Sequence, residues 1–574
     1  MHLKVPTLSN RPSDIKTVEI RVEIGQTLES VTREFAGEAP YTIILGRVNG
    51  VDRSLTYRLR RSDREGIIEL LDLRTHSAAL TYQRSLCLIY LKAVCDTYEE
   101  MGIVGASAAI ENSLDKGFFT KPILRPNIEG TLDEPDDEVV EKISRKMREI
   151  INSDEKIVPE SLSREEGMEF WEKFGYMEKV ELLDSVYSVD FPYQIFTIGD
   201  YGNYFFGPMV PSTGYIERFE LRKYRDGILL RFPYSTAPNT LPPFNDDFRV
   251  YEAFGREKKW LELLKAPFLS DMNKIVSEGK AKDLVLLSEA LHEKKIAEIA
   301  NEIVQKKKRI VLLAGPSSSG KTTTAKRLCV QLRVNGMDPL YMGTDDYFVE
   351  RSETPIDENG DYDFENLNAL DINLFNNNMN DLLAGKEVDL PEFDFIEGTK
   401  IFGKRITKIS DDQLIVIEGI HALNGKLTEQ IPEEEKYRIY ISPLTQLNID
   451  THNRISSTDG RMLRRMVRDY KFRGRNAATT IDEWPNVRAG EDKNIFPFNG
   501  EADVLFNSTL PYELMVLKKY AVPLLEAIRP GEKQYSEAIR LLEFLKFVRV
   551  IDEEKFVPNN SILREFIGGS VFVE

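Results

Sequence analysis

The sequence predicts a multidomain protein, α+β in its N-terminal half and α/β in its C-terminal half, the latter built on a parallel sheet with helices on both faces. Three observations predict this. A chain of 574 residues is too long for one core, because single domains usually run about 100 to 200 residues. Before residue 240, short runs of alternating apolar and polar residues are broken by turn signals. After residue 308, the apolar runs RIVLLAG, LYMG, LIVIEGI and YRIYIS are separated by helical stretches, as strands covered on both faces require.

Taken in order, TVEIRVEI, YTIILGRVNG and IIELLDL read as strands from Thr17 to Leu73 around one helix at Leu28 to Phe35, with Asn49-Gly50 as a turn. A small α+β unit over 1–73 follows. Apolar residues fall at helical spacing from Leu80 to Glu99, and a charged helix runs from Asp136 to Ile151, opened by acids that suit its N-terminal dipole. Ile195 to Phe232 reads as antiparallel strands with turns at Gly-Pro and Ser-Thr-Gly, closing a second unit over 74–240. Residues 241–296 read as a charged helical connector, and 297–574 as the α/β domain.

Hydrophobic residues make up 41% and charged residues 30% of the chain, which excludes disorder as its general state. A net charge of −18 argues against broad attraction to nucleic acid or anionic membranes. Cys87, Cys95 and Cys329 form no CxxC pair and have no metal-ligand spacing. No basic-then-apolar leader opens the sequence, and no apolar run approaches a spanning helix, so a cytoplasmic protein is expected.

The strongest chemical signal is the run Gly315, Pro316, Ser317, Ser318, Ser319, Gly320, Lys321, Thr322, followed by Thr323. It matches GxxxxGK[ST] between an apolar strand and a helix. Such a loop wraps its N–H groups around phosphates, Lys321 reaches the β and γ oxygens, and Thr322 can ligate Mg2+. Next, the strand LYMG runs into Asp345 and Asp346, placing two acids at the carboxyl end of the sheet. Asp345 is the candidate base for an attacking hydroxyl and a candidate Mg2+ contact, and Asp346 could share the role. The apolar run LIVIEGI carries Glu418 where a metal-supporting carboxylate belongs. Arg461 to Arg475 is an arginine-rich helix in an acidic chain, suited to close on phosphate oxygens as a lid; a nucleic-acid-binding helix is the alternative. His421 and His452 each stand alone and are left without a role.

Together GPSSSGKTT, TDDYF, PEFDF (Pro391 to Phe395), IEGIHAL and RRMVRDYKFRGR resemble the uridine kinase and phosphoribulokinase family over roughly the C-terminal half. The resemblance implies a P-loop phosphotransferase using ATP or GTP with Mg2+, acting on the 5′-hydroxyl of a nucleoside of uridine or cytidine type. It implies catalytic roles for Asp345, Lys321 and Arg468, with phosphate-binding lid arginines at Arg465, Arg468, Arg473 and Arg475. Arg468 would lie nearest the transferring group. It places Asp345, Phe348, Glu365, Phe393 and Arg468 about the acceptor, Glu365 standing where the family has a ribose-binding Asp. The family's Tyr-Asp-Phe-x-x-His element, whose Tyr and His read the pyrimidine, is here Phe393-Asp394-Phe395-Ile396-Glu397-Gly398, which lacks both readers. Phosphorylation of another hydroxyl compound therefore stays open.

The N-terminal half is similar to a TGS domain of β-grasp type followed by the second additional domain of threonyl- and alanyl-tRNA synthetases. In that domain's HxxxH element, His76 is followed by Leu80, and Phe205 and Met209 stand at the positions of its Cys and His. Apolar residues cannot ligate zinc, so the deacylase chemistry is expected to be lost. A nucleotide-switched tRNA-binding regulator is the competing class. Its module should gather Lys and Arg on one face, whereas this half scatters both signs. A homo-oligomer is left open.

Overall fold

The computed structural model describes residues 2–5, 16–20, 23–35, 37, 39–63, 66–185, 193–356, 360 and 362–573. At the N-terminus, strands β1 (His2–Val5), β2 (Lys16–Glu19), β3 (Ile43–Val48), β4 (Val51–Arg53) and β5 (Ile67–Asp72) form a sheet in the order β2-β1-β5-β3-β4. Helix α1 (Leu28–Phe35) packs Leu28 and Val31 against Leu3, Val5, Ile68 and Leu70. The β3–β4 turn falls on Asn49 and Gly50, both at positive φ (52° and 80°), which suits the right-handed twist of a two-residue hairpin. The strand expected from Thr17 is described to Glu19, and residues 21 and 22 lie outside the described residues.

In the second unit, α2 (His76–Glu100) begins four residues before the expected Leu80 and is wrapped by protein along most of its length. It is followed by the hairpin β6 (Ala106–Leu114) and β7 (Gly117–Leu124), which the sequence reading did not anticipate. Helix α3 (Asp137–Asn152) opens where its acids predict, Asp136 accepting from Val139 N at 2.9 Å. Then come β8 (Val158–Leu162), α4 (Arg164–Phe174), α5 (Met177–Ser185), β9 (Tyr193–Ile198), β10 (Tyr201–Tyr204), β11 (Glu220–Tyr224) and β12 (Gly227–Arg231). The antiparallel strands expected together across 195–232 divide between two sheets, β10-β9-β8 and β11-β12-β7-β6. The physical reason is the irregular stretch 205–219: instead of a tight turn it carries the chain from one sheet to the other.

Helices α6 (Phe248–Leu263), α7 (Leu269–Ser277) and α8 (Ala281–Gln305) occupy the stretch expected to be a connector. α8 runs unbroken across residue 296, and its Leu284, Val285, Ile296 and Ile303 share one core with the strand that follows. The segment is thus a packed layer of the α/β body, held by an apolar stripe that its many charges conceal in sequence.

The α/β body comprises β13 (Ile310–Ala314), α9 (Lys321–Val334), β14 (Leu340–Gly343), α10 (Ile372–Leu383), β15 (Val388–Asp394), β16 (Thr399–Thr407), β17 (Ile415–Glu418), β18 (Lys436–Ser442), α11 (Ser457–Arg473), α12 (Ala477–Asn494), β19 (Val504–Asn507), α13 (Glu513–Glu526), α14 (Tyr535–Leu545) and α15 (Arg564–Ile567). Its sheet is parallel, in the order β14-β17-β13-β18-β19. In β13, Val311 and Leu313 enter the core on one face while Ile310, Leu312 and Ala314 enter the core on the other. Burial of each of its valine, leucine and isoleucine side chains contributes about 1.5–3 kcal/mol. β15 and β16 form a separate hairpin.

The two halves are joined by the segment between β18 and α11. Asn448 Nδ2 donates to Glu111 O (3.0 Å), Ile110 N donates to Thr451 O (3.0 Å), and Asn453 Nδ2 donates to Tyr204 O (3.0 Å). No helix among the described residues is long and apolar enough to cross a membrane.

Candidate active site

β13 ends at Ala314 and α9 starts at Lys321, so Gly315–Gly320 turns tightly between them. A Cβ on Gly315 would lie 2.0 Å from the Ile441 carbonyl oxygen of β18, and Gly320 combines φ +82° with Ile562 at 2.4 Å. Only glycine fits at either position. Ser318, at φ +59°, bends the loop into a concavity. The hydroxyls of Ser318 and Ser319 are buried with no hydrogen-bond partner among the described residues, as befits groups shaped for an anion. Lys321 folds back over the loop, donating to Gly315 O (3.0 Å) and Pro316 O (3.3 Å).

Glu418 closes β17, in register with Leu313 of β13 and Gly343 of β14. Its Oε1 accepts from Thr322 Oγ1 (2.8 Å) and Tyr341 OH (3.3 Å), while Oε2 is buried and unpartnered among the described residues. Burial pushes the Glu418 carboxyl up, against the pull of Lys321 and Thr322. Gly419 is required here too, since a Cβ would lie 1.9 Å from Thr344 Oγ1.

The structure separates the two acids after β14. Asp346 is held by Arg405 of β16 at 2.6 Å. Asp345 is open to the cleft, yet enough protein surrounds it that desolvation raises its pKa, opposed by Lys321 and reinforced by Asp346. Across the cleft, burial likewise raises the Glu365 carboxyl, with Glu491 adding to the effect and Lys321 and Arg465 opposing it. Phe348 and Phe393 are buried in an edge-to-face cluster, 5.6 Å apart, and Phe348 also meets Phe364 (5.6 Å) and Phe395 (6.1 Å).

Of the expected lid arginines, Arg465 reaches the loop, donating to Ser317 Oγ at 3.0 Å. Arg468 (2.7 Å) and Arg473 (3.6 Å) are held on Asp469, and Arg475 on Glu483. Two arginines of the lid segment to which the sequence reading gave no individual role also contact the loop: Arg461 Nε donates to Ser317 O (3.0 Å) and Arg464 Nη1 to Ser318 O (3.3 Å). Arg461, Arg464, Arg465 and Arg468 lie at i, i+3, i+4 and i+7, a spacing that could have shown them to share one helix face.

Carboxylates from distant segments engage two amides of the loop and its helix. Ser317 N donates to Glu491 Oε1 (3.0 Å), and Thr323 donates to Glu565 Oε2 from its N–H (3.3 Å) and its hydroxyl (2.7 Å). No local motif marks either acid.

A glycine-fixed phosphate loop, a lysine over it, a Thr–Glu pair at the sheet edge and an arginine helix alongside define a P-loop phosphotransferase with an alcohol group as acceptor. Residues 310–513 match the sequence model of the phosphoribulokinase / uridine kinase family. Similar proteins include the uridine kinase of Ligilactobacillus salivarius, 27% identical over 197 residues covering 34% of this chain and 83% of that protein. The uridine kinases of Staphylococcus epidermidis (28% over 197 residues) and Staphylococcus aureus (29% over 198) each cover 34% of this chain and 86% of their own length. A solved structure described as a possible uridine kinase from Bacillus stearothermophilus covers 37% of this chain and 98% of its own, with 18% identity and a TM-score of 0.26, too low to add weight.

Proposed function

We propose that the chain is an ATP-dependent nucleoside kinase that phosphorylates a 5′-hydroxyl, of uridine or cytidine type. The observation that carries this reading is the position of Asp345: alone of the acid pair it has no ion-pair partner among the described residues, and it faces the charge of Lys321 across the cleft. Asp345 takes the proton of the acceptor hydroxyl. The hydroxyl oxygen bonds to the γ-phosphorus, and the bond to the β–γ bridging oxygen breaks to release ADP. Lys321, the loop amides and Arg465 hold the triphosphate; Arg468 and Arg473 join them once drawn away from Asp469. Glu365 binds the sugar hydroxyls, and Phe348 and Phe393 form the acceptor wall.

Mg2+ fits the oxygen set of Thr322, Glu418 with its unpaired Oε2, and Asp345, since this ion takes one or two carboxylates together with substrate phosphates. When bound it neutralises triphosphate charge. The N-terminal unit is read as a TGS-like β-grasp domain, which the order β2-β1-β5-β3-β4 with one packed helix supports. We read its compartment as the cytoplasm, which suits the free thiols of Cys87, Cys95 and Cys329.

A second reading, a non-nucleoside hydroxyl acceptor, is favoured by one feature. The resembled kinases' base-reading Tyr and His are replaced here by Phe393, which is buried, and by Gly398.

The test is a panel of uridine, cytidine, other nucleosides, sugar phosphates and pantothenate with ATP and GTP, run on wild type and Asp345→Asn. The variant should bind ATP normally and lose about 10²–10⁴-fold in transfer. Unchanged transfer would remove Asp345 as the base, and a preference for non-nucleosides would select the second reading.

A further inference from the structure

A cavity of about 130 Å³ lies where α2, the stretch after β10 and the segment entering α11 meet, away from the phosphate loop. Its walls are mostly apolar, with Leu80, Phe118 and Phe205 among them. Three arginines nevertheless line it. Arg84 donates to the Pro208 carbonyl (3.1 Å), and Arg454 stacks over the Phe118 ring at 4.6 Å. Neither forms an ion pair with a carboxylate among the described residues. A third lining cation, Arg540, is fully engaged by Asp459 (2.7 Å) and Glu537 (2.6 Å).

A guanidinium stays protonated in proteins, so burial cannot be relieved by loss of its charge. Burial pulls Arg84 down to about 10, with Arg540 adding to the effect and Glu543 opposing it, and pulls Arg454 below its usual value against the pull of Asp459. Such an arrangement is costly unless an anion completes it. The size is also informative: a dry apolar cavity of about 150 Å³ accepts benzene. A nucleotide is too large for this one, and inorganic phosphate would leave the apolar wall uncovered.

We propose that this cavity is a binding site for a small organic carboxylate with an apolar body of single-ring size, its carboxylate held by Arg84 and Arg454 and its body against Leu80, Phe118 and Phe205. The site sits at the junction of the two halves, on the segment that leads directly into the arginine helix.

Benzoate and its neutral isostere benzamide are the probes, titrated calorimetrically into the full chain with ATP present to keep the phosphate loop occupied. Benzoate should bind saturably and at least tenfold more tightly than benzamide, and Arg454→Met and Arg84→Met should each abolish that preference. Because either variant could fail to fold, location is also read in the wild type: the methyl resonances of Leu80, Ile110 and Ile455 should shift with benzoate. No saturable benzoate binding, equal affinity for benzamide, folded variants that keep the preference, or shifts confined to other methyls would each overturn the proposal.

Discussion

Lys179 Nζ lies 2.9 Å from Asp450 Oδ1, with only 1% and 2% of the two side chains exposed. The pair crosses from α5 of the second unit to the segment between β18 and α11. Asp450 also accepts from His452 N (2.8 Å) and Asn453 N (2.9 Å), so it shapes the segment as well as anchoring it. Asp450→Asn strands a buried ammonium and should cost about 3–5 kcal/mol in urea denaturation. Lys179→Met leaves a carboxylate that keeps its amide donors and should cost less.

Glu565 holds the amide and hydroxyl of Thr323 at the start of α9, where a triphosphate would also draw on the helix N-terminus. Glu565→Gln removes a competing negative charge. ATP should then bind about three- to tenfold more tightly by calorimetry, tenfold corresponding to about 1.4 kcal/mol. Weaker binding would instead make Glu565 a supporting brace.

Gly315→Ala drives a Cβ into the Ile441 carbonyl, and a backbone atom cannot swing aside. The loop should lose ATP retention, with a stability cost of about 1–3 kcal/mol. Gly425→Ala is the control, because nothing lies within 4 Å of its added Cβ.

Burial disfavours ionised Glu537, but Arg540 overrides it and brings the carboxyl from 4.5 to about 2. A folded-state pKa below the unfolded value stabilises the native chain above the ordinary carboxylate pKa, and that contribution is lost as pH falls from about 4.5 towards 2. The loss should be on the order of 3 kcal/mol. Glu537→Gln should flatten this limb of the stability–pH curve.

The loop 315–320 was legible because its signal is local: glycines, lysine and threonine stand in one short run between a strand and a helix. The edge acids Asp345 and Glu418 followed from strands that end in carboxylates. What stayed hidden is non-local. β6 and β7 were missed because β7 takes its other neighbour, β12, from more than a hundred residues away, and ASAAIENSL has little alternation to announce a strand. Glu491 and Glu565 reach the loop from 174 and 242 residues away with no motif around them. Asp346 could not be set aside in favour of Asp345 because its partner Arg405 lies on a hairpin that sequence cannot fold onto it. The lid was visible as a run of arginines. Which of them meets the loop depends on helical phase and on Asp469, which holds Arg468 and Arg473.

The plug formed by Asn448, Asp450 and Asn453 bears on how this molecule can be rebuilt. A catalytic body transplanted from another source would have to bring matching side chains for Glu111, Lys179 and Tyr204, or leave those sockets unfilled. Chimeras should therefore keep the native 448–454 segment whatever else they exchange.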